Sequence, residues 1–281
     1  ITSAEEQPVL PKGNNLSLHL LELFTSQVAK VGMTDGIRQV LQEESDALRA
    51  YYEQAGILIA RPAGGTSCRL AISAKGGTNA ENHNHNDVGS YAVALGSETM
   101  VGDQGGPNSY PGDYFNGDAP QKYKIKGSFG HPVPVVDGRT QSSGGKAKGV
   151  VLQKEFTNEK DVFSIDYTSA YSTPNLDKLI RTFVYDRQGK GNFTVGDEFT
   201  AKTPIRFETA ITTRADWKVL DDTHLLLATD SEQMIVAIDA SGKVAFTSET
   251  IEVNSPAYTR IGIALKNQSK EGYIRLKMYT K

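Results

Sequence analysis

Residues 82–101 read NHNHNDVGSYAVALGSETMV, and this stretch carries the clearest fold signal in the chain. Small and β-branched side chains over residues 90–95 and 98–101 are separated by a Gly-Ser pair, which is typical of a β-hairpin. Further short runs of strand-forming residues occupy 57–60 and 69–73. This part of the sequence therefore predicts antiparallel strands.

The sequence after Gly149 repeats this pattern at short spacing, with turn residues between the runs. Many regularly spaced short strands are typical of a β-sandwich. The runs comprise residues 150–152, 162–165, 179–185, 192–199, 205–212, 224–228, 234–238, 260–265 and 274–279. We therefore predict a mainly β protein built around an antiparallel β-sandwich.

The beginning of the chain has a helical periodicity instead. A first helix is predicted over residues 16–30, and a second starts at the capping pair Thr34-Asp35, carries apolar positions through Tyr51 and ends at Gly56. Two such helices cannot bury their apolar faces alone, so they must dock on something larger. The predicted division is a helical segment at 1–55, a sandwich with a metal site at 56–215, and strands that complete or extend it at 216–281.

Composition excludes several classes of function. The chain has 281 residues and a formal net charge of -3, with acidic and basic residues well mixed. This balance gives no support for a nucleic-acid partner or a polybasic membrane surface, and no apolar run approaches the roughly 20 residues of a membrane span. The single cysteine, Cys68, excludes an internal disulfide framework. Because the first residue is Ile1 rather than Met, we expect a processed form or a fragment.

Imidazole and carboxylate side chains gather around the predicted hairpin. His83 and His85 lie one residue apart, so extended backbone would point both rings to the same side. The hairpin returns Asp103 towards them, and His131 follows the glycine-rich loop predicted over residues 102–127. Nitrogen and oxygen ligands of this kind suit zinc. The alternative is that the histidines hydrogen-bond loop carbonyls and, with the neighbouring asparagines, hold the loop in shape.

Several motifs carry a resemblance to a known family, and together they cover roughly residues 30–215. They are residues 82–91, the pair Gly102-Asp103, residues 130–138 (GHPVPVVDG), 55–61, 179–185 and 193–199. In these motifs the chain resembles the heparinase II/III family of polysaccharide lyases. The sequence GHPVP at 130–134 is more similar to the heparinase II branch than to the alginate-lyase or heparinase III branches.

The resemblance implies an N-terminal α/α toroid followed by an antiparallel β-sandwich, with an acidic polysaccharide bound in the cleft between them. It implies β-elimination from a heparin-like or heparan-sulfate-like glycan, with alginate or another oligo-uronate as the alternative substrate. It also implies a structural zinc ion whose ligands are His85, Asp103 and His131. His83 would then face the cleft and take part in catalysis, and the substrate-contacting tyrosine would be Tyr110 or Tyr114.

The chemistry of such a lyase accounts for these residue types. The enzyme removes the proton on carbon 5 of a uronic acid and expels the 4-linked sugar, so the neighbouring carboxylate must be neutralised. Histidine suits the role of base near neutral pH, and zinc would act by fixing the backbone that carries His83.

For substrate binding we predict Asn84, Lys124 and Arg139. Lys122, Lys124 and Lys126 alternate with other residues, which predicts one basic strand face, with a solvated sheet edge as the alternative.

The resemblance also sets limits. A toroid needs several helical hairpins, and residues 1–55 offer about two helices, so the chain looks like the C-terminal portion of a longer enzyme. Its partner would be the missing toroid domain, and we expect little elimination from the chain alone. Because long acidic glycans are met outside the cytoplasm, we expect a periplasmic or secreted protein. Two other classes stay open: a non-catalytic carbohydrate-binding sandwich with structural zinc, and a zinc hydrolase with Asp87 or Asp113 as base.

Overall fold

The computed structural model describes residues 47–81, 84–103, 105–253 and 255–281. The first predicted helix and the start of the second lie outside the described residues. Short helical turns occur at α1 (Ala119–Lys122) and, as 3-10 turns, at Ser128–Gly130 and Thr168–Ala170. The strands are β1 (Arg49–Tyr52), β2 (Ile57–Ala60), β3 (Leu70–Lys75), β4 (Thr78–Asn79), β5 (Tyr91–Leu95), β6 (Glu98–Val101), β7 (Val135–Val136), β8 (Gly144–Lys148), β9 (Val150–Phe156), β10 (Lys160–Asp166), β11 (Leu176–Asp186), β12 (Asn192–Ile205), β13 (Phe207–Thr213), β14 (Asp216–Asp221), β15 (His224–Ala228), β16 (Gln233–Ala240), β17 (Val244–Val253), β18 (Ser255–Leu265) and β19 (Ser269–Thr280).

These strands pair antiparallel throughout the described ranges and form four sheets. The eight-stranded sheet has the order β14-β15-β16-β19-β12-β11-β10-β9. The five-stranded sheet has the order β1-β2-β3-β5-β6, and the four-stranded sheet has the order β17-β18-β13-β7. Strands β4 and β8 form a two-stranded ribbon.

Apolar side chains of the three larger sheets meet in one core. On the eight-stranded sheet the Phe183 ring stacks between those of Phe163 and Phe193, with centroid distances of 5.9 and 6.1 Å. The ring of Tyr91, from β5 of the five-stranded sheet, meets Phe183 edge-on at 6.2 Å. Ile263 of the four-stranded sheet is fully buried in the same core. Burial of this apolar surface is the main stabilising term, and the predicted antiparallel β-sandwich is confirmed.

The end of β6 in the five-stranded sheet meets β13 of the four-stranded sheet, beyond the two residues of β13 that pair with β7. The hydroxyls of Thr212 and Thr213 donate to the carbonyls of Gly102 and Met100, at 2.6 and 2.7 Å. The amide of Gly102 donates in return to the Thr212 carbonyl at 3.0 Å. This junction fixes the end of the hairpin β5–β6 and therefore the position of the backbone at Asp103.

The predicted second helix is wrong at its end. Residues Arg49–Tyr52 form the edge strand β1, which pairs with β2 across the turn that Gly56 makes with φ of 61°. Tertiary contacts override the helical pattern here, because the Tyr51 ring packs on Phe163 at 5.8 Å. The boundaries predicted at residues 55/56 and 215/216 stay predictions.

The C-terminal strands show what periodicity missed. The run 205–212, predicted as one strand, is divided at Arg206, where the chain leaves the eight-stranded sheet and enters the four-stranded sheet. Strands β4, β7, β8, β14 and β17 were not predicted, because β4 and β7 are only two residues long and the other three lack a continuous apolar alternation. Within the described ranges, no helix has the length and hydropathy that crossing a bilayer would require.

Candidate metal centre and adjoining cleft

Three side chains from separate segments converge beside the hairpin. His85 lies in the loop before β5, Asp103 follows β6, and His131 follows the turn Ser128–Gly130. One potential ligand atom from each of them lies within 4.8 Å of the others. Nδ1 of His131 is 3.2 Å from Oδ2 of Asp103, and the rings of His85 and His131 are 5.1 Å apart. The structure thus brings together the three predicted ligands, although the loop of His85 is irregular rather than extended.

The donor set fits a zinc ion. His131 is 1% exposed, and its Nε2 donates to the carbonyl of Ile125 at 3.0 Å. Nδ1 therefore faces Asp103, yet it makes no aligned hydrogen bond with any described residue. A buried ring nitrogen left facing a carboxylate, with the other nitrogen bonded to a carbonyl, is the arrangement of histidines that ligate metals. Two nitrogens and one carboxylate oxygen would hold zinc.

The electrostatics of the cluster are those of closely spaced opposite charges. Burial, followed by the neighbouring His131, lowers the pKa of His85 to about 4. Burial opposes the charge on both other groups, but their mutual attraction outweighs it, lowering the pKa of Asp103 and raising the pKa of His131. A cation bound among them would take the place of the proton that Asp103 draws onto His131.

A buried arginine fixes the loops that carry two of these ligands. The guanidinium of Arg181, which is 0% exposed, donates to the carbonyls of Gly89 and Pro132 at 2.7 Å each. It also binds both carboxylate oxygens of Asp197 at 2.7 Å. Arg181 and Asp197 are register partners on β11 and β12, so the central sheet supplies a rigid support for the segments after His85 and His131.

Buried amides complete this support. The side chain of Gln141 donates to the Val88 carbonyl at 2.7 Å and accepts from the Val88 amide at 3.1 Å. Its oxygen also accepts from the side chain of Asn79 at 2.9 Å, while Oδ1 of Asn79 accepts from the backbone amide of Asp87. The alternative prediction, in which histidines and neighbouring asparagines bond loop carbonyls, has its contacts here too: His131 donates to the Ile125 carbonyl and Asn84 to that of His85.

A polar cleft of about 530 Å³ opens on the residues that flank His85. We call it the amide cleft, because four asparagine side chains share its wall with one aromatic ring, one cation and one acid. These residues are Asn79, Asn84, Asn86, Asn116, Phe115, Lys126 and Glu81. Asn84, for which a substrate-binding role was predicted, lies in the wall of this cleft, and that role stays a prediction.

The remaining predicted site residues are distributed differently. His83 lies outside the described residues. Tyr114 is 2% exposed and its hydroxyl is 3.2 Å from Nε2 of His85, whereas Tyr110 is 54% exposed with its ring 5.0 Å from that of Tyr114. The side chain of Arg139 is exposed at the turn after β7 and does not line the amide cleft.

The predicted basic strand face is wrong. Residues 119–122 are helical, and the chain then continues through turns, so the lysines do not alternate across a strand. Lys122 is paired with Asp113 and Asp118, and the exposed Lys124 is paired with Glu249. Lys126 alone turns inward.

Neither carboxylate named for a hydrolase belongs to the metal cluster. Asp87 is bound to the ammonium of Lys75 at 2.5 Å. Asp113 accepts from the hydroxyl of Tyr123 and from Lys122. Both carboxylates are therefore engaged by cations or hydroxyls.

Comparison with known proteins shows the fold. No family model and no curated protein matches the chain. A crystal structure of heparinase III superimposes with a TM-score of 0.65 and 17% identity over 83% of this chain and 36% of that one. The heparan sulfate lyase HepC from Pedobacter heparinus gives a TM-score of 0.69 and 14% identity over 94% and 42%. The BT4657 gene product, a heparinase III, gives a TM-score of 0.66 and 12% identity over 94% and 41%.

At these identities the likeness concerns the fold, which does not by itself fix an activity. The chain spans between 36% and 42% of the length of these three structures. They are named as heparinase III or heparan sulfate lyase, and they give no support to the heparinase II branch.

Proposed function

We propose that this chain is the β-sandwich part of a lyase that cleaves heparan-sulfate-like uronic-acid glycans by β-elimination. The observation that carries the proposal is the convergence of His85, Asp103 and His131 within a sandwich shared with solved heparan sulfate lyases. The supporting fold likeness extends over 94% of the chain. A related oligo-uronate polymer such as alginate is the alternative substrate, and the heparinase II branch, indicated only by the GHPVP motif, is a finer prediction.

The proposed reaction uses side chains close to His85 in the sequence and one tyrosine from the loop after Asp103. His83 precedes it by two residues in the sequence and would take the carbon 5 proton or return a proton to the leaving oxygen. Tyr110 presents an exposed phenol beside the buried Tyr114, so Tyr110 is the tyrosine that can reach a bound sugar. The amide group of Asn84 would hydrogen-bond the uronate carboxylate as negative charge develops on it.

Zinc would serve this reaction indirectly, as a structural ion that ties the segment of His85 to Asp103 and His131. The chain's own residues do the rest of the positioning, since Arg181 and Gln141 hold the backbone on either side of the ligands. We expect Lys124 and Arg139 to contribute surface charge to substrate binding. The toroid partner and a periplasmic or secreted location belong to this proposal as well.

The proposal is tested with His83→Ala and His131→Ala variants of the 281-residue chain. His83→Ala is expected to retain zinc, measured by elemental analysis, and to unfold at the same temperature as the parent protein. His131→Ala is expected to lose zinc. Loss of zinc from His83→Ala would show that the ligand assignment is wrong.

Activity is measured as unsaturated uronate absorbance with heparan sulfate as substrate. We expect little product from the chain alone and efficient elimination from a protein that also carries an α/α toroid. His83→Ala should abolish that elimination. Product formed by the isolated chain at the rate of a complete lyase would contradict the proposed dependence on the toroid.

A zinc hydrolase is favoured by one observation, the three-residue donor set, because closed structural zinc sites have four protein ligands. Chelation separates the classes. A structural zinc site loses stability when it is stripped, whereas a hydrolytic site loses turnover before it loses stability. A carbohydrate-binding module would bind glycans in either state and release no product.

A further inference from the structure

Lys126 is the one cation among the described residues that line the amide cleft. It is 6% exposed, and its ammonium donates to the backbone carbonyl of Tyr114 at 2.6 Å. The same nitrogen lies 4.8 Å from the centroid of the Tyr114 ring and 5.0 Å from that of Phe115. An ammonium carries three donors, and within the described residues Lys126 uses only one of them on a hydrogen-bond acceptor.

Its surroundings differ from those of the other lysines near the metal cluster. Lys75, Lys122 and Lys124 each have a carboxylate partner within the described residues. Lys126 forms no ion pair there, and burial alone lowers its pKa. A buried ammonium without a counterion is costly, and the cost falls when an anion binds against it.

The rest of the amide cleft suits a sugar that carries such an anion. Asn84, Asn86 and Asn116 supply amide groups, which donate to and accept from hydroxyls and acidic oxygens. Phe115 is 50% exposed and contributes apolar ring surface to the wall of the cleft. Glu81 is the one carboxylate in the wall; it is exposed, and its Oε1 accepts a hydrogen bond from the hydroxyl of Thr78 at 3.0 Å.

We propose that the amide cleft binds an anionic substituent of a sugar, either a carboxylate or a sulfate ester, and that the ammonium of Lys126 anchors it. This inference deepens the proposed function and rests on it for the identity of the ligand as an acidic glycan. The anchor is coupled to the metal centre through the backbone, since the carbonyl of Lys126 accepts from the amide of Asn86, the residue after His85. Lys126 is thus a binding residue that sets which sugar unit lies beside the loop of His85.

The test measures binding by isothermal titration calorimetry, so it does not require turnover. The probes are a uronic-acid tetrasaccharide without sulfate, the same tetrasaccharide with sulfate esters, and a neutral tetrasaccharide of similar size. Lys126→Met keeps the length of the side chain and removes the charge. We expect it to weaken binding of an acidic probe by about tenfold or more, because a charge-assisted contact is lost, and to leave the neutral probe unaffected.

The controls separate charge from fold. Lys126→Arg should restore most of the affinity, and Lys218→Met, which removes an exposed charge from β14, should not change it. If Lys126→Met fails to fold, Asn116→Asp tests the same cleft from an exposed position, with Asn267→Asp in an exposed turn as the matched control. Asn116→Asp is expected to weaken both acidic probes by several-fold through like-charge repulsion.

The outcomes are distinguishable. Loss with both acidic probes identifies a carboxylate as the bound group, and loss with the sulfated probe alone identifies a sulfate ester. Equal binding of acidic probes by the parent protein, Lys126→Met and Asn116→Asp overturns the anchor and leaves the proposed lyase standing. Dependence on Lys126 in a toroid-bearing protein that forms no unsaturated product would support the anchor and overturn the lyase. A toroid-bearing parent protein that binds no acidic probe would overturn both.

Discussion

The eight-stranded sheet and the site loops, by which we mean residues 84–90 and 125–134, are held together in different ways. The sheet is held by stacked aromatic rings and long antiparallel ladders, such as the one between β12 and β19. Each of these contacts has neighbouring contacts that also stabilise the sheet. The site loops instead depend on a few polar side chains, chiefly Arg181 and Gln141, which reach them from outside.

This difference shows that the conformation of the site loops depends on directional contacts, whereas the sheet depends mainly on apolar packing. Apolar packing is non-directional, so a sheet core tolerates a change in one side chain if volume is kept. A buried hydrogen bond has a fixed direction, and removal of one partner leaves the other unsatisfied. We therefore expect substitution of a buried polar side chain that contacts the site loops to lower the free energy of unfolding more than substitution of an exposed polar side chain elsewhere.

The largest effect is expected at Arg181, which serves both regions. Arg181→Met would leave the carboxylate of Asp197 buried without its cation, and we expect the free energy of unfolding to fall by about 3–5 kcal/mol. Urea unfolding measures this loss. Arg275→Met is the control, since its partners Glu198 and Asp239 are exposed and the expected change is about 0–1 kcal/mol. Equal losses of unfolding free energy in Arg181→Met and Arg275→Met would contradict the proposed difference between buried and exposed pairs.

Metal binding should stabilise the site loops selectively. If zinc binds His85, Asp103 and His131, zinc at about a hundred times its dissociation constant raises the free energy of unfolding by about 2.7 kcal/mol. Thermal unfolding with and without a chelator measures the shift.

A matched pair of histidine variants serves as the control for zinc. His131→Asn should lose the response, and His224→Asn, at an exposed ion pair with Asp221, should keep it. If zinc does not change the unfolding temperature of the parent protein, the prediction that zinc stabilises the site loops is wrong.

A smaller effect is expected at Gln141. Gln141→Leu keeps the size of the side chain but leaves both backbone groups of Val88 without their partner, so we expect a loss of about 2 kcal/mol. Gln188→Leu, at an exposed contact with Glu159, should change stability by less than about 0.5 kcal/mol. The measurement is again urea unfolding, and similar values for the two variants would contradict the assigned role.

The smallest effect marks the boundary of the site. Lys124→Met removes an exposed pair with Glu249, and the expected change in stability is below about 1 kcal/mol. A double-mutant cycle with Glu249→Gln isolates the pair from the contact of Lys124 with the Phe129 ring. A coupling energy well above 1 kcal/mol would show that the Lys124–Glu249 pair contributes substantially to stability, contrary to this prediction.

Much of the sheet was predictable because its inward positions alternate. Leu179, Phe183 and Tyr185 are buried at every second or fourth position of β11, as a period of two requires. The same period places Arg181 inward on β11 and Asp197 inward on β12. That pattern of opposite charges at inward positions was the available signal for the buried pair, and it was missed.

The convergence of His85, Asp103 and His131 was predictable in part for a related reason, since the hairpin returns Asp103 towards the loop of His85. The support around it was not. Gln141 meets Val88 across 53 residues of sequence, and no local pattern reports such a contact. The inward turn of Lys126 likewise depends on the helical turn α1, which the alternation of lysines concealed.

The position of β19 has a consequence for biosynthesis. Ser269–Thr280 lies between β12 and β16, so the two halves of the eight-stranded sheet have no bridge until these residues emerge from the ribosome. A nascent chain that ends before Ser269 presents the open flanks of β12 and β16 to solvent, where they are templates for aggregation. The eight-stranded sheet can therefore close only after β19, the last of its eight strands in sequence, has been translated, and a chaperone that shields those flanks would be expected to raise the yield of folded protein.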